Sequence, residues 1–350
     1  MFTFEEVSMS SLILHKVGNK QLGDGYQASK DLIELDDELH SLLCDYFLNH
    51  FKSEDIYHFI HHAGIAMNDV YQYCKSIFDN PDTFKEVSVH LLQHLYEKSD
   101  HPKIKSGELY IAYLDNVLVE DELVNAIGIF KSETRDTYLT FPFENEKVGI
   151  ASNEGVPTRK LDKGAVIFNA YEEDGYRVIA TDMNGTESRF WKEAFLGIDN
   201  VPDNTFHTKT YLNICKDFVK KVYSKEEDKK EQVDFLNKSI EYFENNDSFD
   251  LKDFSEQVIE KEEYTEQFSS FKEKYEEQKG IATQEDFIIS KSTLDKMKKK
   301  FKNLIKLDTK VEIKVHPNPE EPDANQKYME RGYDDKKGMY YYKIYFNREE

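Results

Sequence analysis

The chain opens with one strand-like stretch, Ser11 to Val17, and then glycines at 18, 23 and 25 that mark a loop. Beyond that loop the apolar period lengthens. Leu39, Leu42, Leu43, Tyr46 and Phe47 recur at three- and four-residue spacing, and Val87, Val89, Leu91, Leu92, Leu95 and Tyr96 do so again after Pro81, which predicts helices. From Gly107 the pattern turns to strands: Glu108 to Asn116, Ala126 to Lys131, Tyr138 to Phe143, Ala165 to Tyr171 and Tyr176 to Ala180. Their connections are too short for parallel crossovers, and Asp174-Gly175 is a tight-turn signal, so the strands are expected to pair antiparallel. Trp191, Phe195 and Leu196 predict a short helix or turn that caps the sheet.

From Asn204 to about Gly280 the chain reads as helical, with Tyr211, Ile214, Cys215, Phe218 and Val222 on one stripe and a charged linker or helix end over Tyr223 to Glu231. After Gly280 the expected order is helix, strand, loop and hairpin. Val311, Ile313 and Val315 alternate with Lys310, Glu312 and Lys314, Pro317, Pro319 and Pro322 mark the loop, and Met339 to Phe346 makes an aromatic strand after a turn at Asp334 to Gly338. These elements predict an α+β fold, an antiparallel sheet domain with N-terminal helices followed by a helical and basic region ending in a β-hairpin. The expected domains are residues 1–202 and 203–350.

At 350 residues the chain is long enough for two cores, and its 22 tyrosines and 24 phenylalanines supply material for both. No run of 18 apolar residues occurs, and Met1 to Ser10 has neither a basic nor an apolar leader region, so a cytoplasmic location with no membrane partner is expected. Cys44, Cys74 and Cys215 are odd in number and far apart, which suits small reduced core residues better than a disulfide framework. Charge is the informative quantity. The formal net charge is -22, yet residues 291 to 314 hold nine lysines against Asp295, Asp308 and Glu312, a net of +6, while residues 1 to 290 carry -26.

Most catalytic chemistry finds no support in the sequence. His90 and His94 have the spacing of a zinc pair, but Leu91, Leu92 and Gln93 between them omit a catalytic carboxylate. His58, His61 and His62 read better as satisfied or exposed helix histidines. No phosphate-binding loop, dinucleotide fingerprint or nucleophile elbow is present, so no catalytic residue, metal or cofactor is assigned. One enzyme alternative stays open: Glu312-Ile313-Lys314, with Asp308 or Asp295, could place a magnesium ligand beside a lysine, as in metal-dependent nucleases. The alternative is an exposed strand face.

The basic segment offers a binding surface. Over Lys291 to Lys306 the spacing predicts one amphipathic helix, with Leu294, Met297, Phe301 and Leu304 on one face and Lys296, Lys299, Lys302 and Lys306 on the other. Together with Lys298, Lys300, Lys310 and Lys314 these lysines are the candidate nucleic-acid contacts. Lysine supplies point charges and not the fork that reads guanine, so the expected binding is to double-stranded DNA without sequence preference. Solvation of an ordinary helix face, or an anionic membrane surface, would use the same residues.

A resemblance weighs on the choice. Gly107-Glu108-Leu109-Tyr110-Ile111-Ala112-Tyr113, Ala126-Ile127-Gly128-Ile129-Phe130-Lys131-Ser132-Glu133 and Leu161-Asp162-Lys163-Gly164-Ala165-Val166-Ile167-Phe168-Asn169 resemble, in order, blocks of the nucleoid-associated NdpA family. Asp182, Phe190-Trp191 and Phe195-Leu196 fit a further block. The resemblance implies a bacterial protein of the nucleoid that associates with DNA or with DNA-maintenance proteins, and it implies no catalytic set. Lys131, Glu133, Asp162 and Lys163 are the polar members of these blocks, either a surface patch or a strand-end set of salt bridges. The acidity of residues 1 to 290 suits a second role, an acidic adaptor for DNA-maintenance proteins.

Overall fold

The long apolar runs of the first two hundred residues become strands buried on both sides. The computed structural model describes residues 2–51, 55–144, 147–183, 189–223, 229–259, 262–299, 301, 304–314 and 327–348. The chain divides into two compact units, residues 1–201 and 202–350. In the first, the described residues form a nine-stranded antiparallel sheet from β1 (Phe2–Thr3), β2 (Ser8–Val17), β3 (Tyr26–Gln27), β4 (Tyr57–Phe59), β5 (Gly107–Val119), β6 (Glu122–Ser132), β11 (Lys163–Phe168), β12 (Arg177–Asp182) and β13 (Ile198–Asn200). Their spatial order is β13-β4-β12-β11-β6-β5-β2-β3, with β1 also on β5.

Both faces are covered, which is why Glu108 to Asn116 reads as a near-continuous apolar run and not a simple alternation. Leu109, Ile111 and Tyr113 turn to one face, where α2 (Asp69–Asp79) and α3 (Phe84–Lys98) pack through Val70, Cys74, Leu91 and Leu95. Tyr110, Ala112 and Leu114 turn to the other, against Tyr46, Phe47 and Leu48 of α1 (Asp37–Leu48). The Phe47 and Phe130 rings stack there with centroids 4.3 Å apart. Caps start the helices: Asp36 accepts the Leu39 N–H at 2.8 Å, and Asn68 accepts that of Tyr71 at 2.9 Å. The expected turn between β11 and β12 is present, and at Gly175 (φ 96°) a Cβ would lie 2.5 Å from the Phe59 carbonyl, so only glycine fits. Trp191, Phe195 and Leu196 sit on a π-helical turn over Arg189–Leu196 and are buried against the sheet, the cap the sequence predicts.

Two local expectations change. Tyr138 to Phe143 does not join the large sheet: β7 (Asp136–Thr140) pairs with β10 (Ala151–Gly155), and β8 (Phe143–Glu144) with β9 (Lys147–Val148), in a separate two-stranded arm. Its apolar residues have no sheet face to cover. His58 lies on β4 and not on a helix, because pairing of β4 with β12 and β13 wins over local propensity.

In residues 202–350, the side chain of Val222, the last of the predicted stripe, lies outside the described residues, and α4 (Asn204–Phe218) buries the stripe's other members, Tyr211, Ile214, Cys215 and Phe218. These side chains pack with α5 (Lys229–Asn245), α6 (Leu251–Phe254), α7 (Glu262–Lys279) and α8 (Lys291–Lys298), which brings Phe243, Phe254, Phe268, Leu294 and Met297 into one core. A small pairing of β14 (Ser248–Asp250) with β15 (Asp286–Ile288) adds Phe249 and Phe287. Two hairpins follow, β16 (Leu304–Lys306) with β17 (Glu312–Lys314) and β18 (Met329–Asp334) with β19 (Met339–Ile344). The α+β class is therefore the one the sequence predicts, but the amphipathic helix is shorter than predicted. It stops at Lys298, and Leu304 and Lys306 belong to a strand. Like charges at three- and four-residue spacing weaken a helix, and the pairing of Ile305 with Ile313 offers the chain a strand instead.

Candidate nucleic-acid interface

The polar residues of the first unit meet at one end of the large sheet. Strand alternation puts Lys131 on the same face as Ile127 and Ile129, and Lys163 on that of Ala165 and Ile167, so both lysines are driven inward. Register then makes Lys163 the neighbour of Lys131 on one side and of Asp182 on the other. Two lysines directly opposite one another repel unless carboxylates intervene. Glu133 lies 2.7 Å from the Lys131 ammonium and 3.7 Å from that of Lys163, and Asp182 lies 3.3 Å from Lys163. All four side chains are buried. The Lys131 ammonium also donates to the Lys105 carbonyl at 2.6 Å, and the Trp191 indole donates to the Gly164 carbonyl at 3.2 Å.

Asp162 anchors the loop beside them. Its carboxylate accepts the N–H groups of Glu133 (2.7 Å) and Thr134 (2.8 Å) and the Thr134 hydroxyl (2.7 Å), with Lys160 at 3.1 Å. Burial alone would raise its pKa, but these donors outweigh burial and hold it below the ordinary carboxylate range. Lys131, Glu133, Asp162 and Lys163 are thus a buried strand-end ion network and not a surface patch. The period of two already carried the signal. Asp182 and Lys160 join the set only through register and loop geometry.

The histidines are held by structural partners. His94 donates from Nε2 to the Phe195 carbonyl at 3.2 Å and has the Asp69 carboxylate 3.5 Å from Nδ1, and its pKa is lowered by burial. The His90 ring sits 5.8 Å from that of Tyr73, and His58 hydrogen-bonds the Asp174 carbonyl at 2.9 Å. Among the described residues no three His, Cys, Asp or Glu side chains gather as a metal site. Asp295, Asp308, Glu312 and Lys314 are exposed, and only Ile313 of the Glu312-Ile313-Lys314 strand turns partly inward.

The basic segment is split between two elements. On α8, Thr293, Leu294 and Met297 are buried, as is Phe301 beyond its end, while Lys296 and Lys299 are exposed. Lys298 is half-buried and pairs with Glu244. Lys291 caps α5: its ammonium donates to the carbonyls of Phe243 (3.1 Å), Glu244 (2.9 Å) and Asn246 (2.5 Å), which satisfies the open end of that helix. Lys310 sits at the tip of the β16–β17 hairpin in the left-handed region (φ 65°), and Lys310 and Lys314 are both exposed. Lys300 and Lys302, and the side chain of Lys306, lie outside the described residues.

The sequence matches a known family over most of its length. The family described as nucleoid-associated protein YejK matches residues 13–336. The chain belongs to that family. Nucleoid-associated membership accounts for a bacterial protein located with the nucleoid and associated with DNA. Among the described residues no helix is long and apolar enough to cross a membrane. The family match takes in the buried ion network, α8 and the β16–β17 hairpin, and it ends before β19. No individually curated protein matches the chain.

Proposed function

We propose that this nucleoid-associated protein holds duplex DNA without reading its sequence, through the lysines of residues 291–314. The supporting observation is the segregation of charge: that segment carries +6 while residues 1 to 290 carry -26, and Lys296, Lys299, Lys310 and Lys314 stand exposed while Leu294, Met297 and Phe301 turn inward. Lys298 is engaged by Glu244, and Lys300, Lys302 and Lys306 add to the positive charge of the segment's sequence. Ammonium groups neutralise phosphates and release their counterions but do not fork onto a base edge, so affinity should depend on salt and not on sequence. The test is a duplex titration at several salt concentrations with Lys296, Lys299, Lys310 and Lys314 changed to Gln. The slope of log affinity against log salt should become shallower by about 0.9 for each phosphate no longer neutralised, on unrelated sequences alike. An unchanged slope in a folded variant would remove the proposal.

A second role, an adaptor for basic DNA-maintenance proteins, rests on the two-stranded arm. Residues 136 to 155 carry a net charge of -3, and Leu139, Phe141, Phe143, Val148 and Ile150 are exposed along it. Apolar groups flanked by carboxylates suit a basic protein surface. Partners recovered on the immobilised protein should survive nuclease digestion and disappear when Phe141 and Phe143 are changed to Ser. Loss of all partners on digestion alone would exclude the adaptor. No catalytic step is assigned, and incubation with magnesium or manganese should leave DNA uncut. Cleavage abolished by Glu312→Ala would replace this reading with a nuclease.

A further inference from the structure

The final hairpin, β18 with β19, has an unusual surface for a chain of net charge -22. From Met329 to Ile344 it holds four Lys or Arg against three carboxylates, Glu330, Asp334 and Asp335, a net of +1. Aromatic rings stand among these cations. Tyr341, Lys343 and Tyr345 lie at alternate positions, and the Tyr345 N–H donates to the Tyr328 carbonyl at 2.8 Å, so the ladder runs past Ile344 and keeps the three side chains on one face. The opposite face behaves differently. Met329 is buried and Tyr342 half-buried beside Val233 and Ile313, which ties the hairpin to the unit and leaves the Tyr341 face outward.

On that outward face one position is a glycine for a definite reason. Gly332 is the register partner of Tyr341, and a Cβ on it would lie 2.4 Å from Cζ and Oη of the tyrosine. The Tyr341 ring therefore lies across the bare glycine backbone, one side against the strand and the other toward solvent, with 47% of the residue exposed. Tyr345 is 42% exposed, with the Lys343 ammonium 4.6 Å from its ring centre. Two carboxylates belong to this face, Glu330 opposite Lys343 and Asp334 beside the turn; Glu330 accepts the Tyr345 hydroxyl at 3.1 Å and lies 3.9 Å from Lys343. At the turn, Lys336 and Lys337 are exposed, and their N–H groups occupy the Asp334 carboxylate at 2.9 and 3.1 Å. Successive same-face side chains on a strand stand about 6.8 Å apart, so rings and ammonium groups alternate along an extended track.

We infer that this face is a stacking platform for unpaired bases of single-stranded DNA, with Tyr341 and Tyr345 taking bases and Lys343, Lys336 and Lys337 taking phosphates. The inference rests on the proposed function only in taking DNA as the polymer. The site is separate from the lysines of 291–314, and β19 lies beyond the residues the family match covers. A flat ring with one open side offers a base what a duplex cannot use, because paired bases are already stacked. The net positive charge of the hairpin sets a polyanion apart from an apolar protein partner as the occupant.

The test uses the full chain, an oligothymidylate and a duplex of the same length. Changing Tyr341 and Tyr345 together to Ala should lower oligothymidylate affinity about tenfold or more for each base that no longer stacks, while duplex affinity stays within about twofold. Tyr341→Phe keeps the ring and should bind the oligothymidylate like the parent, which separates absent stacking from a disturbed hairpin. An oligothymidylate carrying 5-iododeoxyuridine should crosslink to the peptide holding Tyr341 or Tyr345. Duplex binding with no oligothymidylate binding would overturn this inference and leave the lysine proposal standing. Tyrosine-dependent oligothymidylate binding with no duplex binding would do the reverse. An unchanged affinity in the double Ala variant, or a change in its oligomeric state alone, would mark the face as idle or as a protein contact and overturn the platform.

Discussion

Lysines in the two units of this chain stand in opposite environments. Lys131 and Lys163 sit side by side inside the first unit, held by Glu133 and Asp182, whereas Lys296, Lys299, Lys310 and Lys314 stand in solvent around a core they do not enter. A buried ammonium is tolerated only with carboxylates and hydrogen bonds around it, so its field is neutralised where it arises. An exposed ammonium keeps its long-range field, and a row of them can act on a distant polyanion. Lys131 and Lys163, within the most family-like sequence blocks, are therefore closed off from any DNA.

The largest effect should come from breaking the buried set. Lys163→Met leaves Glu133 and Asp182 buried with one cation fewer, and the expected loss is about 3–5 kcal/mol in urea denaturation. A loss below about 1 kcal/mol would mean that water reaches the network. Adding Asp182→Asn to Lys163→Met removes the stranded charge and should recover a good part of the stability, which a merely packing role for Lys163 does not predict.

The next effect depends on pH. His15 is buried, with Nδ1 accepting the Ser29 N–H at 3.0 Å and Nε2 donating to the Ser88 hydroxyl at 3.1 Å; burial lowers its pKa to about 4. The folded state thus favours the neutral ring, while the unfolded chain takes up a proton near pH 6.5. Stability from this site is whole above pH 6.5 and is lost as pH falls toward 4, a change on the order of 2 kcal/mol. Denaturation at pH 7 and pH 4.5 should show this drop in the parent and a smaller one in His15→Gln. Equal drops would assign the acid sensitivity to other groups.

The smallest effect on folding should come from the exposed set. Changing Lys296, Lys299, Lys310 and Lys314 to Gln should cost no more than about 0.5 kcal/mol each, even as the salt dependence of duplex binding weakens. A melting transition lowered as far as that of Lys163→Met would erase the contrast between the two sets.

Much of the fold is legible along the chain. The strands at Glu108, Ala126, Ala165 and Tyr176, the turn at Asp174-Gly175 and the stripe from Tyr211 to Phe218 all follow from period, because both faces of the sheet and one face of the helix must leave water. The strand at Tyr57 is not legible, since only its partners β12 and β13 make it one. The helix from Lys291 ends before its spacing predicts for a similar reason: the apolar period continues past Lys298, and the choice of strand over helix at Leu304 depends on Glu312–Lys314 across the hairpin.

By itself the sequence determined the α+β character, the segregation of charge into an acidic body and a short basic segment, and the family-like blocks of the first unit. These are properties of neighbours in the chain, and local period and composition record them. Tertiary structure decided which lysines are inside, that Asp182 and Lys160 complete the network, that Lys291 caps α5, and that Tyr341 lies flat over Gly332. Each depends on which distant strand or helix arrives alongside. The decisive contacts are across the register and not along the chain, and the burial they create determines whether a given charge is spent on the fold or left to act beyond it.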